Sequence, residues 1–194
     1  MNKIKLNREV VVSDPCYTIP TWCQAILGNV LPGNYEVHCK KTDLGDWGVR
    51  NSMLLVVHEE HCDEPLEWDS HPATIGVDSG QCGIFSRESY RNDKHPIEKG
   101  QADFSCSRGN EGDEFYDKMA QRTLGTESFG VYDEGTVCSS GIGDGSYMLF
   151  TSQDEFGNVI ALAVDFLIDG DNDEEEDDTN NFIDFDFYLT EINS

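Results

Sequence analysis

Five consecutive apolar residues, Met53 to Val57, constrain the fold of this chain more than any other feature. A strand with one face in water alternates apolar and polar side chains, whereas a strand covered on both faces is continuously apolar. The run therefore predicts a central strand, extending over Gly48 to His58, with packing layers on both of its faces.

Shorter apolar or alternating segments elsewhere predict the neighbouring strands. In the segment Val159 to Ile168, the alternation places Leu162, Val164 and Phe166 on one face. Turn-forming residues separate most of these segments, which is typical of antiparallel sheets. The other predicted strands are Ile4 to Val12, Tyr35 to Cys39, Ala73 to Val77, Cys82 to Phe85, Phe129 to Cys138, Tyr147 to Thr151 and Ile183 to Tyr188.

Two short helices complete the predicted elements. The first spans 19–27, with Pro20 near its start and Gly28 after its end. The second spans 114–124, with Phe115 and Met119 on one side. We therefore expect a mainly β (α+β) fold, an antiparallel sandwich or half-barrel with two short helices. The length indicates a single domain over 1–194, with a long loop or insert at 87–112.

Negative charge is concentrated at the carboxyl end of the chain. The net charge is -25, yet residues 1–50 are nearly balanced, whereas residues 151–194 carry fourteen acidic and no basic side chains. Such a field repels nucleic acid and anionic membranes and attracts cations or the basic face of another protein. The most acidic stretch, 169–180, lies between two predicted strands and is expected to be a hairpin loop.

The seven cysteines form no C-x-x-C pair, so they predict reduced thiols and neither a disulfide framework nor a zinc finger. Neither a signal peptide nor a membrane-spanning apolar stretch is legible, which predicts a cytoplasmic protein. Cys16 and Cys82 have no basic neighbour in sequence to lower their pKa, so we expect no nucleophilic cysteine.

Two segments resemble metal-binding motifs without matching them. His58-Glu59-Glu60-His61-Cys62 lacks the two histidines four residues apart of a metalloprotease helix, although His58, His61, Cys62 and His71 leave a looser site open. The run that begins at Asp169 lacks the glycine and the final glutamate of a calcium loop. We expect no dedicated metal or cofactor, and only weak binding of divalent cations by clustered carboxylates.

Three turn motifs share an aspartate, small residues and a nearby thiol or phenol. They are Asp14 to Tyr17 (the first turn motif), Asp78 to Gly83 (the second) and Ser140 to Tyr147 (the third). In one interpretation each aspartate accepts hydrogen bonds from amides of its own turn. In the other, the motifs converge into one polar cleft. Its ligand-binding residues would be Asp14, Cys16, Tyr17, Asp78, Ser79, Gln81, Ser140, Asp144, Ser146 and Tyr147.

The order of these motifs resembles that of a poorly characterised domain family of phages and bacteria. Its members carry D-P-C-Y, then V-D-x-G-x-x-G, then S-G-x-G-D-G-x-Y, which here are Asp14 to Tyr17, Val77 to Gly83 and Ser140 to Tyr147. The resemblance implies a shared fold and a phage-like context, which would place the protein in the cytoplasm of a host cell. It implies no catalytic role for any residue.

We therefore expect a non-enzymatic accessory protein that binds and inhibits a host partner with a basic surface, without binding nucleic acid or membranes. The expected partner-binding residues are Asp165, Asp169, Asp171, Asp173, Glu174, Glu175, Glu176, Asp177, Asp178, Asp184 and Asp186. The alternative is a nucleotide-like ligand-binding protein or hydrolase that uses a cleft formed by Asp14, Asp78 and Asp144. The sequence predicts no oligomeric state.

Overall fold

A computed structural model describes residues 2–91, 110–132 and 134–169 of the protein. These residues form eleven strands, one α-helix and two short 3-10 turns, Gly45–Trp47 and Glu59–His61. The elements are β1 (Asn2–Leu6), β2 (Val10–Ser13), β3 (Ala25–Leu27), β4 (Gly33–Asp43), β5 (Val49–His58), β6 (Asp69–Val77), β7 (Gln81–Ser86), α1 (Asn110–Thr123), β8 (Phe129–Tyr132), β9 (Gly135–Ser139), β10 (Gly145–Gln153) and β11 (Val159–Asp169).

The strands form two antiparallel sheets. The larger has six strands in the order β1-β4-β5-β11-β10-β6, and the smaller has five in the order β3-β2-β7-β9-β8. The side chains between the sheets form one core, to which both sheets contribute. This arrangement confirms the predicted mainly β fold.

The central position of β5 confirms the interpretation of the run Met53 to Val57. β5 pairs with β4 on one side and β11 on the other. Leu54 and Val56 belong to the core between the sheets, whereas the side chains of Met53, Leu55 and Val57 lie in a second apolar cluster. Leu66 and Trp68, from the segment before β6, pack in that second cluster. The connection between β5 and β6 therefore supplies part of the second packing layer.

The helix α1 covers the opposite side of the five-stranded sheet. Met119 is 1% exposed and packs in a cluster with Phe85 and Val137, and Phe115 packs against the same cluster. The helix predicted at 114–124 is therefore confirmed, with the face that the sequence indicated.

The helix predicted at 19–27 is wrong. Residues 25–27 instead form β3, which pairs with β2. Ala25 and Leu27 are buried while Ile26 is half exposed, a period of two that belongs to a strand. Pairing with the fully buried strand β2 outweighs the weak helical pattern, because tertiary context overrides local propensity.

The first predicted strand divides into two. β1 lies at an edge of the six-stranded sheet beside β4, whereas β2 lies inside the five-stranded sheet between β3 and β7. The chain therefore crosses from one sheet to the other between Leu6 and Val10. Ile4, Leu6, Val10 and Val12 still enter the same core, whereas Val11 packs in the cluster on the helix side of the five-stranded sheet.

Three predicted features lie wholly or mainly outside the described residues. They are the insert at 87–112, of which 92–109 is not described, the acidic hairpin loop at 169–180 and the strand Ile183 to Tyr188. Within the described ranges, no helix has the length and apolar character needed to cross a membrane.

A substitution at Gly83, in β7, tests how closely the five-stranded sheet is packed. A Cβ at this position would lie 2.5 Å from the carbonyl oxygen of Thr136, a backbone atom that cannot move aside. We expect Gly83→Ala to lower the free energy of unfolding by about 3 kcal/mol, as overpacking does. Chemical denaturation measures this change.

Gly28→Ala is the matched control, because a Cβ at Gly28 would meet nothing within 4 Å. We expect it to leave stability unchanged or to raise it by up to about 1 kcal/mol. Equal stability of the two variants would contradict the packing described here.

Candidate functional site

The buried carboxylate of Asp14 joins the first and second turn motifs. Its Oδ1 accepts hydrogen bonds from the backbone N–H of Cys16 (2.8 Å) and from Ser79 Oγ (2.7 Å). Its Oδ2 accepts from the backbone N–H groups of Asp78 (2.9 Å) and Ser79 (2.7 Å). Asp14 follows β2, and Asp78 and Ser79 connect β6 to β7, so one side chain ties the ends of both sheets together.

The third turn motif meets the second at the same end of the molecule. The backbone N–H of Ser140 donates to the carbonyl of Gly80 at 3.0 Å. Gly145 pairs with Val77, which places Asp144 and Asp78 beside each other at the ends of their strands. The three motifs therefore converge, and we call this end of the two sheets the motif end.

Most of the polar side chains proposed for a cleft are engaged within the protein. Ser140 Oγ and Tyr147 Oη both donate to the carbonyl of Gly143, at 2.6 and 2.7 Å. Gln81 Oε1 accepts from Thr123 Oγ1 at 3.1 Å. Burial, followed by hydrogen bonding to Asp78, raises the pKa of Tyr17 and keeps the phenol protonated. Of the three aspartates, Asp14 is fully buried, whereas Asp78 and Asp144 are exposed.

Two residues that the sequence did not indicate, Tyr90 and Arg91, form hydrogen bonds with backbone carbonyl groups of the first turn motif. Tyr90 Oη lies 2.7 Å from the carbonyl oxygen of Tyr17 and 3.0 Å from that of Asp14. The guanidinium of Arg91, which is 5% exposed, donates to the carbonyl of Cys16 at 2.6 Å. Both residues are more than 70 positions away in sequence, and no local pattern indicates that they meet the motif.

Four of the six described thiols do not favour nucleophilic chemistry. Burial raises the pKa of Cys23, Cys82 and Cys138, and it raises the pKa of Cys62 to about 11. A thiol whose pKa lies well above neutrality carries little thiolate, which is the reactive form.

The looser metal site proposed around His58 is not assembled. His58 is buried with its Nε2 against Gly33, and His61 Nδ1 lies 2.8 Å from Glu64 Oε2. Within the part of the chain that the structure describes, no group of three or more His, Cys, Asp or Glu side chains could hold a metal ion.

Only two of the eleven predicted partner-binding residues lie within the described part of the chain. Asp165 is 6% exposed, and its Oδ1 accepts from the backbone N–H of Leu167 at 2.7 Å. Asp169 is the last residue of β11 and pairs with Tyr147, at the motif end. The other nine, Asp171 to Asp186, lie outside the described residues.

The hairpin between β4 and β5 also lies at the motif end. Asp43 pairs with Val49 beside the hairpin, and β11 runs antiparallel to β5 toward the same end. Trp47 in its tip is 63% exposed. No sequence pattern indicates that this hairpin would lie beside the three motifs.

Comparison with known proteins returned no match. No protein-family model matches the chain, and neither a curated protein nor a solved structure is similar to it. The resemblance to a phage and bacterial family therefore stays a prediction that rests on the three turn motifs.

Asp14 offers a test of this arrangement. The amide of Asp14→Asn keeps one oxygen and presents N–H groups to buried N–H donors, so some of the four hydrogen bonds must be lost. We expect the free energy of unfolding to fall by about 2–5 kcal/mol, the range for unpairing a buried polar group or charge. Denaturant titration at neutral pH provides the measurement.

Asp144→Asn is the control, because it makes the same chemical change at an exposed position of the third motif. We expect a change within about 0.5 kcal/mol. If Asp14→Asn is as stable as this control, the carboxylate does not tie the motifs together.

Proposed function

We propose that this protein is a non-enzymatic accessory protein of phage type. It would bind a basic surface of a host protein and block that protein. The segment Asp165 to Asp186, which we call the acidic region, would present negative charge to that surface much as nucleic acid does. The host and phage context rests on the motif resemblance alone. The binding mode rests on the charge distribution.

The observation that carries the proposal is the segregation of charge. Residues 151–194 contain fourteen acidic and no basic side chains, whereas residues 1–50 are nearly neutral. Ten of the fourteen follow Asp169 in sequence, and β11 ends at the motif end. A one-sided field of this kind accelerates association with a basic partner and repels nucleic acid.

Exposed acidic side chains at the motif end extend the same field. Asp46 in the β4–β5 hairpin and Asp144 in the third turn motif are exposed, as is Asp78. The acidic region is therefore attached to an end of the fold that already carries surplus carboxylates.

The geometry favours this function over the ligand cleft or hydrolase. A cleft built on Asp14, Asp78 and Asp144 needs carboxylates that can reach a ligand, yet both oxygens of Asp14 accept hydrogen bonds within the protein. Ser140 and Tyr147 donate to the backbone of their own turn. These hydrogen bonds stabilise the fold, which is a sufficient reason for the three motifs to converge.

Affinity capture from a bacterial lysate tests the proposal, with the wild-type protein and two variants as baits. One variant neutralises seven acids of the acidic region to Asn or Gln: Asp171, Asp173, Glu174, Glu175, Glu176, Asp177 and Asp178. We expect the wild type to retain a basic protein that duplex DNA releases by competition, and this variant to lose it, because the attraction is electrostatic.

The matched control removes the same amount of charge from other surfaces. It neutralises the exposed residues Glu60, Asp63, Glu67, Asp69, Glu114, Asp117 and Glu155. We expect this control to retain the same protein as the wild type. If all three baits recover the same proteins in equal amounts, the acidic region is not the binding surface and the proposal is wrong.

A further inference from the structure

Two cysteines lie where the two sheets approach each other, one on each sheet. Cys39 belongs to β4 of the six-stranded sheet, and Cys138 belongs to β9 of the five-stranded sheet. We propose that this pair is an oxidation site, at which a hydroperoxide converts the two thiols into a disulfide that joins the sheets. The inference does not depend on the proposed function.

Hydrogen bonds of Asn51 hold the two strands together at this point. Asn51 lies opposite Lys41 of β4, two residues after Cys39. Its Nδ2 donates to the carbonyl oxygen and to Oγ of Ser139, both at 3.0 Å. Ser139 directly follows Cys138 in β9. The part of β4 and β5 next to Cys39 is therefore fixed against the part of β9 next to Cys138.

The side chains of both cysteines reach the core between the sheets. Cys138 is fully buried in that core, and Cys39, which is partly exposed, packs against it. Burial, followed by a hydrogen bond with the Cys39 side chain, raises the pKa of the Cys138 thiol. The two thiols are thus in contact. A disulfide that links two facing sheets is an established feature of other β-sandwich domains.

Cys82 is a third thiol in this part of the core, but its geometry is less suitable. It lies directly opposite Cys138 on β7. The backbone N–H of Ser140 donates to the carbonyl of Gly80 in the same register, so Cys82 and Cys138 form a hydrogen-bonded pair of the ladder. Cβ atoms in such pairs lie about 5.5 Å apart, whereas a disulfide needs about 3.5–4.5 Å. Cys82 is also fully buried, away from an oxidant in water.

The reaction begins at Cys39, because it is the partly exposed member of the pair. Its sulfur attacks the hydroperoxide, the O–O bond breaks, and a sulfenic acid forms with release of water or an alcohol. The Cys138 sulfur then attacks the sulfenic sulfur. The S–O bond breaks, and the Cys138 proton leaves with the hydroxyl group as water.

Contact between the two side chains favours the second step. The raised pKa leaves Cys138 with little thiolate, which slows its attack. A reacting group that is held beside its target, however, acts at a very high effective concentration. A thiol reductant reverses the disulfide by exchange. The bond would connect the six-stranded sheet to the strand that leads directly into the third turn motif.

Peptide mapping of the native full-length protein tests the inference. The protein is treated with hydrogen peroxide, unfolded in an alkylating agent that blocks the remaining thiols, and digested with chymotrypsin without reduction. Cleavage after aromatic residues places each of the seven cysteines in a peptide of its own. We expect one linked pair, Cys39 to Cys138, with a mass two hydrogen atoms below that of the two thiol peptides together. Dithiothreitol should separate it.

Two single variants assign the bond. Cys39→Ser removes the partly exposed thiol, and we expect it to form no linked peptides, with Cys138 and Cys82 both recovered as thiols. Cys62→Ser is the matched control, because Cys62 is the other partly exposed thiol among the described residues. It should form the same disulfide as the wild type. Circular dichroism checks that both variants keep the wild-type fold.

Three results would overturn the inference. The first is a different linkage, whether Cys82 to Cys138 or Cys39 to any cysteine other than Cys138. The second is the absence of linked peptides at every peroxide concentration that leaves the protein folded, including the case in which Cys39 is oxidised to a sulfinic acid while Cys138 remains a thiol. The third is loss of the bond in Cys62→Ser, which would route the oxidation through Cys62.

Discussion

The Asp14 carboxylate is the interaction on which the rest of the motif end depends. Four donors from two loops converge on its two oxygens at 2.7–2.9 Å, in a position with no solvent exposure. A buried carboxylate is costly unless its lone pairs are satisfied, and charge-assisted hydrogen bonds of this length are about twice as strong as neutral ones. The connection from β6 to β7, which links the two sheets, is thereby fixed to the end of β2.

This tie has a consequence for function. The side chains of Asp14, Ser140 and Tyr147 form hydrogen bonds within the protein. The motif end therefore offers few polar groups to a buried ligand. What remains at its surface is a set of exposed carboxylates and exposed apolar side chains. Exposed carboxylates of this kind fit the proposed interaction surface, and most of the acidic region follows β11, which ends at the motif end.

The strands could be predicted because their signals are local. β5 is continuously apolar, and β11 alternates so clearly that Leu162, Val164 and Phe166 enter the core as expected. The helix α1 was predictable for the same reason. The segment 19–27 was not, because pairing with β2 decides its conformation, and that partner lies outside any local window.

The site was predictable only in part. The sequence showed that Asp14, Asp78 and Asp144 belong to related turns, and the structure brings those turns together. The sequence could not show that both oxygens of Asp14 would accept hydrogen bonds within the protein. Nor could it show that Tyr90 and Arg91 would hydrogen-bond to the first motif. Contacts between residues so distant in sequence depend on how the two sheets are placed, which no spacing rule encodes.

Nuclear magnetic resonance of the isotope-labelled full-length protein, titrated with a lysine-rich peptide, tests the central claim most directly. If the motif end is the binding surface, the amide shifts of residues 43–49, 141–144 and 165–169 move together and saturate at one peptide equivalent. The hairpin at 154–158, which lies at the other end of β10 and β11, stays unchanged. Shifts centred on 154–158, or spread evenly over both sheets, would contradict a partner-binding surface at the motif end.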